Sequence, residues 1–507
     1  MKKLYFLIIS LLIINIANAQ WIQMGSDINS DNVTDKLGIS VSISSDGMTL
    51  AAGGSGNDAY ASEAGYVKVF DYNGANWIQK GNSIYGEAVH DFSGYSISLS
   101  SDGNKIAISS SYSDSATGHV RVFEYISGNW VQLGNNINGE ATLDQSGWSI
   151  SLSSDGTILA IGAYQNDGIG IDAGHVRVYE YIGGNWTQIG SDIDGEVAGD
   201  ESGRFVDLNS DGTIIAIGAH KNDGNGDQSG HVRVFEYSGG NWVQLGSDID
   251  GEDSLDWSGY SVGLNSDGTI LAIGSVLNFE NGIHAGQVRI YEFNGGNWIQ
   301  KGTDLHGEGD SDAFGKAVDL SSDGNIVAIG GCYNSIAAGH VKVFEYVGSN
   351  WIQINNDIIG EAPEDYSGYS ICLSSDASIV AIGAYGNDFN DGYDSKRGQV
   401  RVYGNPSVGI NENIINTEVS IYPNPTTGKI TVKTESIEKI DVMDLQGQSI
   451  INTVIASKAK QSANNSEIAT GYCPRNVEID LSTQPKGIYI IKVTTNKGVA
   501  VRKVVLE

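Results

Sequence analysis

Residues 147–190 read GWSISLSSDGTILAIGAYQNDGIGIDAGHVRVYEYIGGNWTQIG, and this stretch decides the fold. In GWSISLSS apolar and small polar residues alternate with period two, the pattern of a half-buried strand, and S-D-G then supplies a tight turn. TILAIGA is a near-continuous apolar second strand, a variable Asn/Asp/Gly loop follows, and HVRVYEY alternates again as a third strand. The turn IGGN leads to a fourth, WTQIG, and no helical period intervenes. Four short strands in roughly 55 residues predict one blade of a β-propeller.

The stretch recurs along the chain. Trp21, Trp77, Trp130, Trp186, Trp242, Trp298 and Trp351 follow one another at 56, 53, 56, 56, 56 and 53 residues, and the Asp of S-D-G keeps the same intervals from Asp46 to Asp376. Seven copies result, but the chain does not begin where a copy begins. Trp21-Ile22-Gln23-Met24-Gly25 is a fourth strand with no first three before it, whereas Gly368–Tyr403 has three strands and no Trp after it. The two fragments complete each other. The predicted fold class is therefore all-β: a seven-bladed propeller over residues 20–403, closed by its N-terminal strand so that no sheet edge is left at the seam. An open solenoid is the rival, and it is disfavoured because open arrays carry atypical capping repeats.

Composition narrows the class further. With 67 Gly lacking a G-X-Y period the chain is not collagen, and with 40% hydrophobic and 18% charged residues it is too apolar for a disordered polyacid. The net charge is -32; residues 1–417 hold 52 acidic against 18 basic side chains, residues 418–507 hold 9 against 11. Such a surface repels phosphate backbones and anionic lipid, so no nucleic-acid partner is expected. Lys2 and Lys3, the apolar run Leu4–Ile16 and Ala17-Asn18-Ala19 predict a secretory signal over 1–19. No other stretch is long and apolar enough to span a bilayer, so no membrane insertion is expected. Three Cys cannot build a disulfide framework. Cys332 and Cys372 are expected as buried thiols, with a pairing across neighbouring repeats as the alternative.

The copies resemble the FG-GAP repeat family over about residues 21–403. The name-giving dipeptide survives as Phe314-Gly315, and Gly162-Ala163, Gly218-Ala219 and Gly383-Ala384 stand where that family has G-A-P. Integrin-type members hold calcium in a D-x-D/N-x-D-G loop. Here that loop is only S-D-G, so their site cannot be carried over.

In a propeller the loops from strand four to the next strand one, and from strand two to strand three, share a face. Here these are the long, acidic, variable ones, so function is expected there. Six copies carry Gly-Glu with Asp four residues after the Glu, from Glu87/Asp91 to Glu361/Asp365, and the first has Asp31/Asp35. Paired carboxylates serve glycoside hydrolysis, but a catalytic site needs one asymmetric set rather than seven copies. Each copy also has one base in strand three: Lys68, Arg121, Arg177, Arg233, Arg289, Lys342 and Arg401. Ion pairs or loop caps are expected of this set. His119, His175, His231 and His340 share one position in different blades, where they cannot meet at one metal, and are read as structural.

Two sets of residues vary from copy to copy. Asp223, Asn225 and Asp227, and less completely Asp388 and Asn390, have the alternate-oxygen spacing of a calcium loop without its distal Glu; calcium is the one cofactor this leaves open, turn composition being the other explanation. Aromatics at the entry to strand one, Phe92, Trp148, Trp257, Tyr260, Tyr366 and Tyr369, stand against Ile39, Arg204 and Lys316 elsewhere. Phe92, Trp148, Trp257, Tyr260 and Tyr366 are the candidate ligand-binding residues, since such rings stack on sugars or grip peptides. The strand parity of Tyr95, Trp148, Tyr260 and Tyr369, shared with Ile97 and Leu99, points instead to burial between blades.

After Tyr403, residues 404–417 form a polar linker. Ile421-Tyr422-Pro423-Asn424-Pro425, Leu445-Gln446-Gly447 and Gly487-Ile488-Tyr489-Ile490, ending in VRKVVLE, resemble the type A C-terminal sorting domain of the Bacteroidetes type IX secretion system over residues 418–507. The resemblance implies a small β-sandwich, the type IX machinery as a partner, and a secreted or cell-surface destination. Residues 455–475 fit no strand of the pattern and are read as a loop insertion. The expected function is binding or adhesion, without catalysis, toward a carbohydrate, peptide or surface protein. The alternative is a polysaccharide hydrolase or lyase. Sialidase-like enzymes are the nearest comparison, but they need S-x-D-x-G-x-T-W boxes, and S-S-D-G is too short for one.

Overall fold

The computed structural model describes residues 20–388, 396–405, 420–422, 428–433, 439–443, 449–454, 476–482, 487–495 and 498–506. The signal segment, Asn390 and the 455–475 insertion lie outside them. The chain divides into two units, Met1–Pro406 and Ser407–Glu507.

The first unit is the seven-bladed propeller. In blade three the strands Ser149–Leu152, Ile158–Ala163, His175–Ile182 and Asn185–Gln188 pair in sequence order, all antiparallel. A fifth piece, Ile193–Asp194, returns to the third strand. Every blade has this piece, so the outer strand is longer than WTQIG suggests and is broken in the middle. In six blades the break sits at a glycine with positive φ, Gly190 in blade three (φ +72), which lets the chain leave the ladder and rejoin it.

The seam closes with the N-terminal strand. Ile22 and Gln23 pair with Gly404 and Tyr403, Ile28 and Asn29 with Val400 and Gln399, and Met24 N–H donates to the Val402 carbonyl at 2.8 Å. A second ring of bonds runs round the axis on the hairpin face. The N–H of Ser45 donates to the carbonyl of Ser101, and the same step repeats through Ser154, Ser210, Ser266, Ser322 and Ser375 back to Ser45, at 2.8–3.1 Å.

The apolar core lies between blades. Val67, Val69 and Ile84 of blade one pack against Ile97, Leu99, Ile106 and Ile108 of blade two, and equivalent clusters follow round the ring. Fully burying one such side chain stabilises by about 1.5–3 kcal/mol. Strand-two glycines are required by this packing: a Cβ on Gly162 would run into the carbonyl of Gly203 in the next blade. The repeated Trp side chains latch the rim. Trp77, Trp130, Trp186, Trp242, Trp298 and Trp351 each donate Nε1–H to an outer-strand carbonyl of the preceding blade, at 2.7–3.1 Å. That carbonyl precedes a glycine against which the indole packs, as Trp242 does on Gly190.

The seventh latch is missing. Trp21 would reach for the carbonyl of Ile354, but the next residue is Asn355 (φ 62) where the other blades have Gly, and the buried Trp21 Nε1 and Asn355 Nδ2 have no hydrogen-bond partner among the described residues. Cys332 and Cys372 are both free, the first buried and the second half-buried.

The described residues of the second unit form two sheets. Ser420–Tyr422, Lys429–Lys433 and Asn476–Asp480 form one; Ser449–Val454, Lys439–Met443, Gly487–Thr495 and Gly498–Leu506 form the other. Ile430, Val432, Ile440, Val442, Ile479 and Ile491 are buried in it. Among the described residues no helix is long and apolar enough to cross a membrane.

The seam makes two expectations. Deleting residues 20–29 strips blade seven of its outer strand and should abolish a single cooperative melt followed by circular dichroism. Asn355→Gly removes a left-handed non-glycine and frees the Ile354 carbonyl for Trp21, so it should gain about 1 kcal/mol, read as a rise of one to two degrees in Tm.

Candidate functional site

The repeated carboxylates are architectural. The Asp of each pair is buried and caps its own loop: Asp365 Oδ2 accepts the N–H groups of Glu361 and Ala362 at 3.0 and 2.8 Å, and Asp200 holds Glu196 and Val197 likewise. In five blades an Asn from the strand-two loop donates to the same carboxylate, as Asn166 does to Asp144 at 3.0 Å. The partner acid reaches the strand-three base of the following blade. Arg121–Glu87, Arg177–Glu140, Arg233–Glu196, Arg289–Glu252, Arg401–Glu361, Lys342–Glu308 and Lys68–Asp31 lie 2.5–3.8 Å apart. All five of these arginines also donate Nη2–H to a carbonyl of the preceding blade, Arg233 to Asp194 at 2.6 Å.

The repeated histidines sit in the same inter-blade clefts. His175 groups with Glu140 and Asp192, His231 with Glu196 and Asp248, and His340 with Glu308 and Asp357, with ligand-capable atoms within 4.8 Å of one another. Burial, aided by Arg233, pushes His231 down to about 4, so the imidazole is neutral. Each cleft already contains a fixed cation on its Glu, which opposes a divalent ion there.

In the calcium-like loops the aspartates cap turns. Asp223 Oδ1 accepts the Gln228 N–H at 2.8 Å, and Asp58, Asp167 and Asp388 cap the equivalent loops in the same way. Asn225 donates its amide to the carbonyls of Gly251 and Glu252 at 2.8 and 3.0 Å. The Asp227 carbonyl accepts the Leu255 N–H at 2.8 Å.

The varied positions converge on the axis. At the start of every inner strand a turn with one left-handed non-glycine residue is closed by an i+3 to i hydrogen bond; these seven residues are Lys36, Phe92, Gln145, Glu201, Trp257, Ala313 and Tyr366 (φ 48 to 57). Left-handed backbone in bulky side chains is costly, and its persistence at seven sites reflects how firmly the blades hold these turns. The residue three positions on, Ile39, Tyr95, Trp148, Arg204, Tyr260, Lys316 or Tyr369, is thereby set at the mouth of the axial channel. Together with the next two positions of each strand they line a pocket of about 210 Å³ that opens on the long-loop face.

Trp148 and Tyr260 thus line the pocket, whereas Phe92, Trp257 and Tyr366 stand behind it. Phe92 packs edge-on against Tyr112, Trp257 against His220 and Tyr260, and Tyr366 against Tyr333 and Tyr385. Tyr95 and Tyr369, expected between blades, also face the channel. Strand parity places them correctly on the apolar side but does not say how far from the axis they lie. The charged residues of the pocket lining that the candidate set lacks are Arg204 and Lys316. Their signal was present: two cations at a position that elsewhere holds an aromatic or aliphatic side chain.

Both cations are set among rings. The Arg204 guanidinium lies 4.3 Å from the Trp148 ring centroid and 4.7 Å from that of Tyr164; the Lys316 ammonium lies 4.5 and 4.3 Å from those of Tyr260 and Tyr369. Lys316 Nζ donates to the Tyr260 hydroxyl at 2.6 Å. Burial pushes the Tyr260 phenol up, but Lys316 and Arg204 together outweigh it and hold the phenol below its ordinary value.

Deeper in the channel two acids occupy a position that is Ser in three other blades. Ser42, Ser98 and Ser151 each accept the Leu N–H of the next inner strand at 3.0 Å; Asp207 does so from Leu264 at 2.8 Å and Asp319 from Leu373 at 2.7 Å. Burial pushes Asp207 up to about 7 and Asp319 to about 6. The far mouth is narrow, about 150 Å³, and carries the seven serines of the hydrogen-bonded ring.

A family model described as a secretion-system C-terminal sorting domain matches residues 420–473. That domain directs the protein to the type IX machinery and makes it a secreted or outer-cell-surface protein. No curated protein sequence matches the chain. Among solved structures the chain is similar to a putative 6-phosphogluconolactonase from Bacteroides uniformis ATCC 8492, with 15% identity, 64% of this chain and 86% of that one covered, and TM-score 0.46. It is also similar to U3-55K, with 12% identity, 76% and 98% coverage and TM-score 0.44, and to the Dos1 propeller, with 12%, 76%, 95% and 0.41.

Asp207 and Asp319 bind protons more tightly when folded than at their ordinary value of 3.8, so their contribution to stability is greatest at low pH and is lost as pH rises toward about 7. Asp207→Asn keeps an acceptor for Leu264 and removes the buried charge. The variant should be more stable than the parent at pH 8, by roughly 1–3 kcal/mol, with the gap closing toward pH 4 in scanning calorimetry.

Proposed function

We propose that this exported propeller is a binding protein that takes a carbohydrate or a peptide end on its long-loop face, in the axial pocket between Tyr95, Trp148, Tyr260 and Tyr369. One observation supports the reading above the rest: the repeat is largely kept where it holds blades together and is abandoned at the residue that begins each inner strand at the wide mouth of the channel. Ile, Tyr, Trp, Arg, Tyr, Lys and Tyr replace one another at a position whose backbone is the same in all seven blades. A concave site with rings and a few placed polar groups is the usual form of a small-ligand pocket, and its size suits one ring or one side chain.

A glycan array and a peptide array probed with the full mature chain test this reading. Binding should appear on one of them and fall at least tenfold with Trp148→Ala at unchanged Tm. Binding that ignores Trp148 would move the site elsewhere.

A second reading has its own support. The acidified Tyr260 phenol beside Lys316 is a group suited to removing a proton, which fits a lyase acting on polysaccharide. Unsaturated products that disappear with Tyr260→Phe would favour it over simple binding.

A further inference from the structure

Arg204 and Lys316 differ from the other cations of the repeat. The seven strand-three bases each face a carboxylate of the neighbouring blade, whereas the groups acting on Arg204 and Lys316 are phenols and, at Lys316, the Cys332 thiol. Glu201, the acid on the turn that presents Arg204, is taken by Lys221 at 2.5 Å and lies 3.4 Å from His220. Arg204 Nε is buried and has no hydrogen-bond partner among the described residues. A full negative charge on Tyr260 would balance one of the two cations and leave the other unmatched. An uncompensated buried charge is expensive for a fold to keep, and here it is kept in a chain with net charge -32.

Resting on the binding role proposed above, we infer that the axial pocket receives an anionic sugar: a ring carrying a carboxylate or a sulfate ester, its acid group between Arg204 and Lys316 and its ring face on Trp148, Tyr95 or Tyr369. The guanidinium fork suits a planar or tetrahedral oxyanion, and the flat indole beside it suits the C–H face of a pyranose. A peptide carboxylate has the charge but not the ring, and a neutral sugar has the ring but leaves the charge unmatched.

Titration calorimetry and Trp fluorescence on the full mature chain separate these cases, using methyl glucuronide, methyl glucoside 6-sulfate, methyl glucoside, acetate, inorganic sulfate and an acidic tripeptide. Either charged glycoside should bind at least tenfold tighter than methyl glucoside, and whichever of the two is tighter identifies the anion. Arg204→Gln and Lys316→Gln should each lose at least tenfold in affinity while melting no more than a few degrees below the parent, since each removes a buried charge without a carboxylate partner. Should a variant melt much lower, Trp148→Phe supplies a second readout, with weakened binding in a conservatively altered pocket. Equal binding of charged and neutral glycosides would overturn the inference and leave the binding role standing. Acetate or sulfate binding as well as the glycosides would reduce the site to an anion hole, and tripeptide binding alone would replace the sugar. No binding of any probe, with no hit on either array, would remove both the inference and the role beneath it.

Discussion

The fold depends on one ladder, in which Ile22, Gln23, Ile28 and Asn29 pair with Gln399–Gly404. A propeller blade cannot bury both its faces alone; it needs a neighbour on each side. With the ring open, blade seven would lack its outer strand and two apolar faces would meet water. With the ring shut, the inner strands are held at one radius by the circle of serine N–H and carbonyl bonds. The axial pocket is a by-product of that radius: the same turn, repeated seven times, points seven different side chains at one volume.

Much of this was legible in the sequence. The complementary terminal fragments gave the closure, and the matching counts of acids and bases gave the inter-blade ion pairs, because a residue repeated seven times answers a need that arises seven times. The second half of the outer strand was not legible. Two residues such as Ile193-Asp194 have no period, and their pairing is imposed by the third strand rather than by their own pattern. The channel lining was half legible. Period-two parity separates the two faces of a strand, but at the innermost strand the blade faces converge, and a residue such as Tyr95 borders the channel as well as its neighbours. In the calcium-like loop Asn225 turns its amide donors toward the neighbouring carbonyls, and spacing cannot show which end of an amide is used.

Charge is sorted by depth. The acidic excess lies largely on loops, the strand-three bases are matched one to one, and among the described residues two cations and two acids stand near the axis: Arg204 and Lys316 at the wide mouth, Asp207 and Asp319 further in. None of the four is needed to build a blade, since Ile39, Tyr95, Ser42 and Ser98 occupy the same positions elsewhere. Their burial is a cost that packing does not explain, and such costs collect at sites of function.

The seam also has a mechanical meaning. The last strand of the ring, Gln399–Gly404, is not an edge: Ile379–Ala384 flanks it on one side and the N-terminal pieces on the other. Tension applied to the chain beyond Asn405 therefore loads two ladders along their length, so that their bonds share the force in shear instead of unzipping one at a time. A body tethered through its C-terminal end would resist being dragged apart by flow or by a bound ligand, and the first residues of the folded chain would act as its clasp.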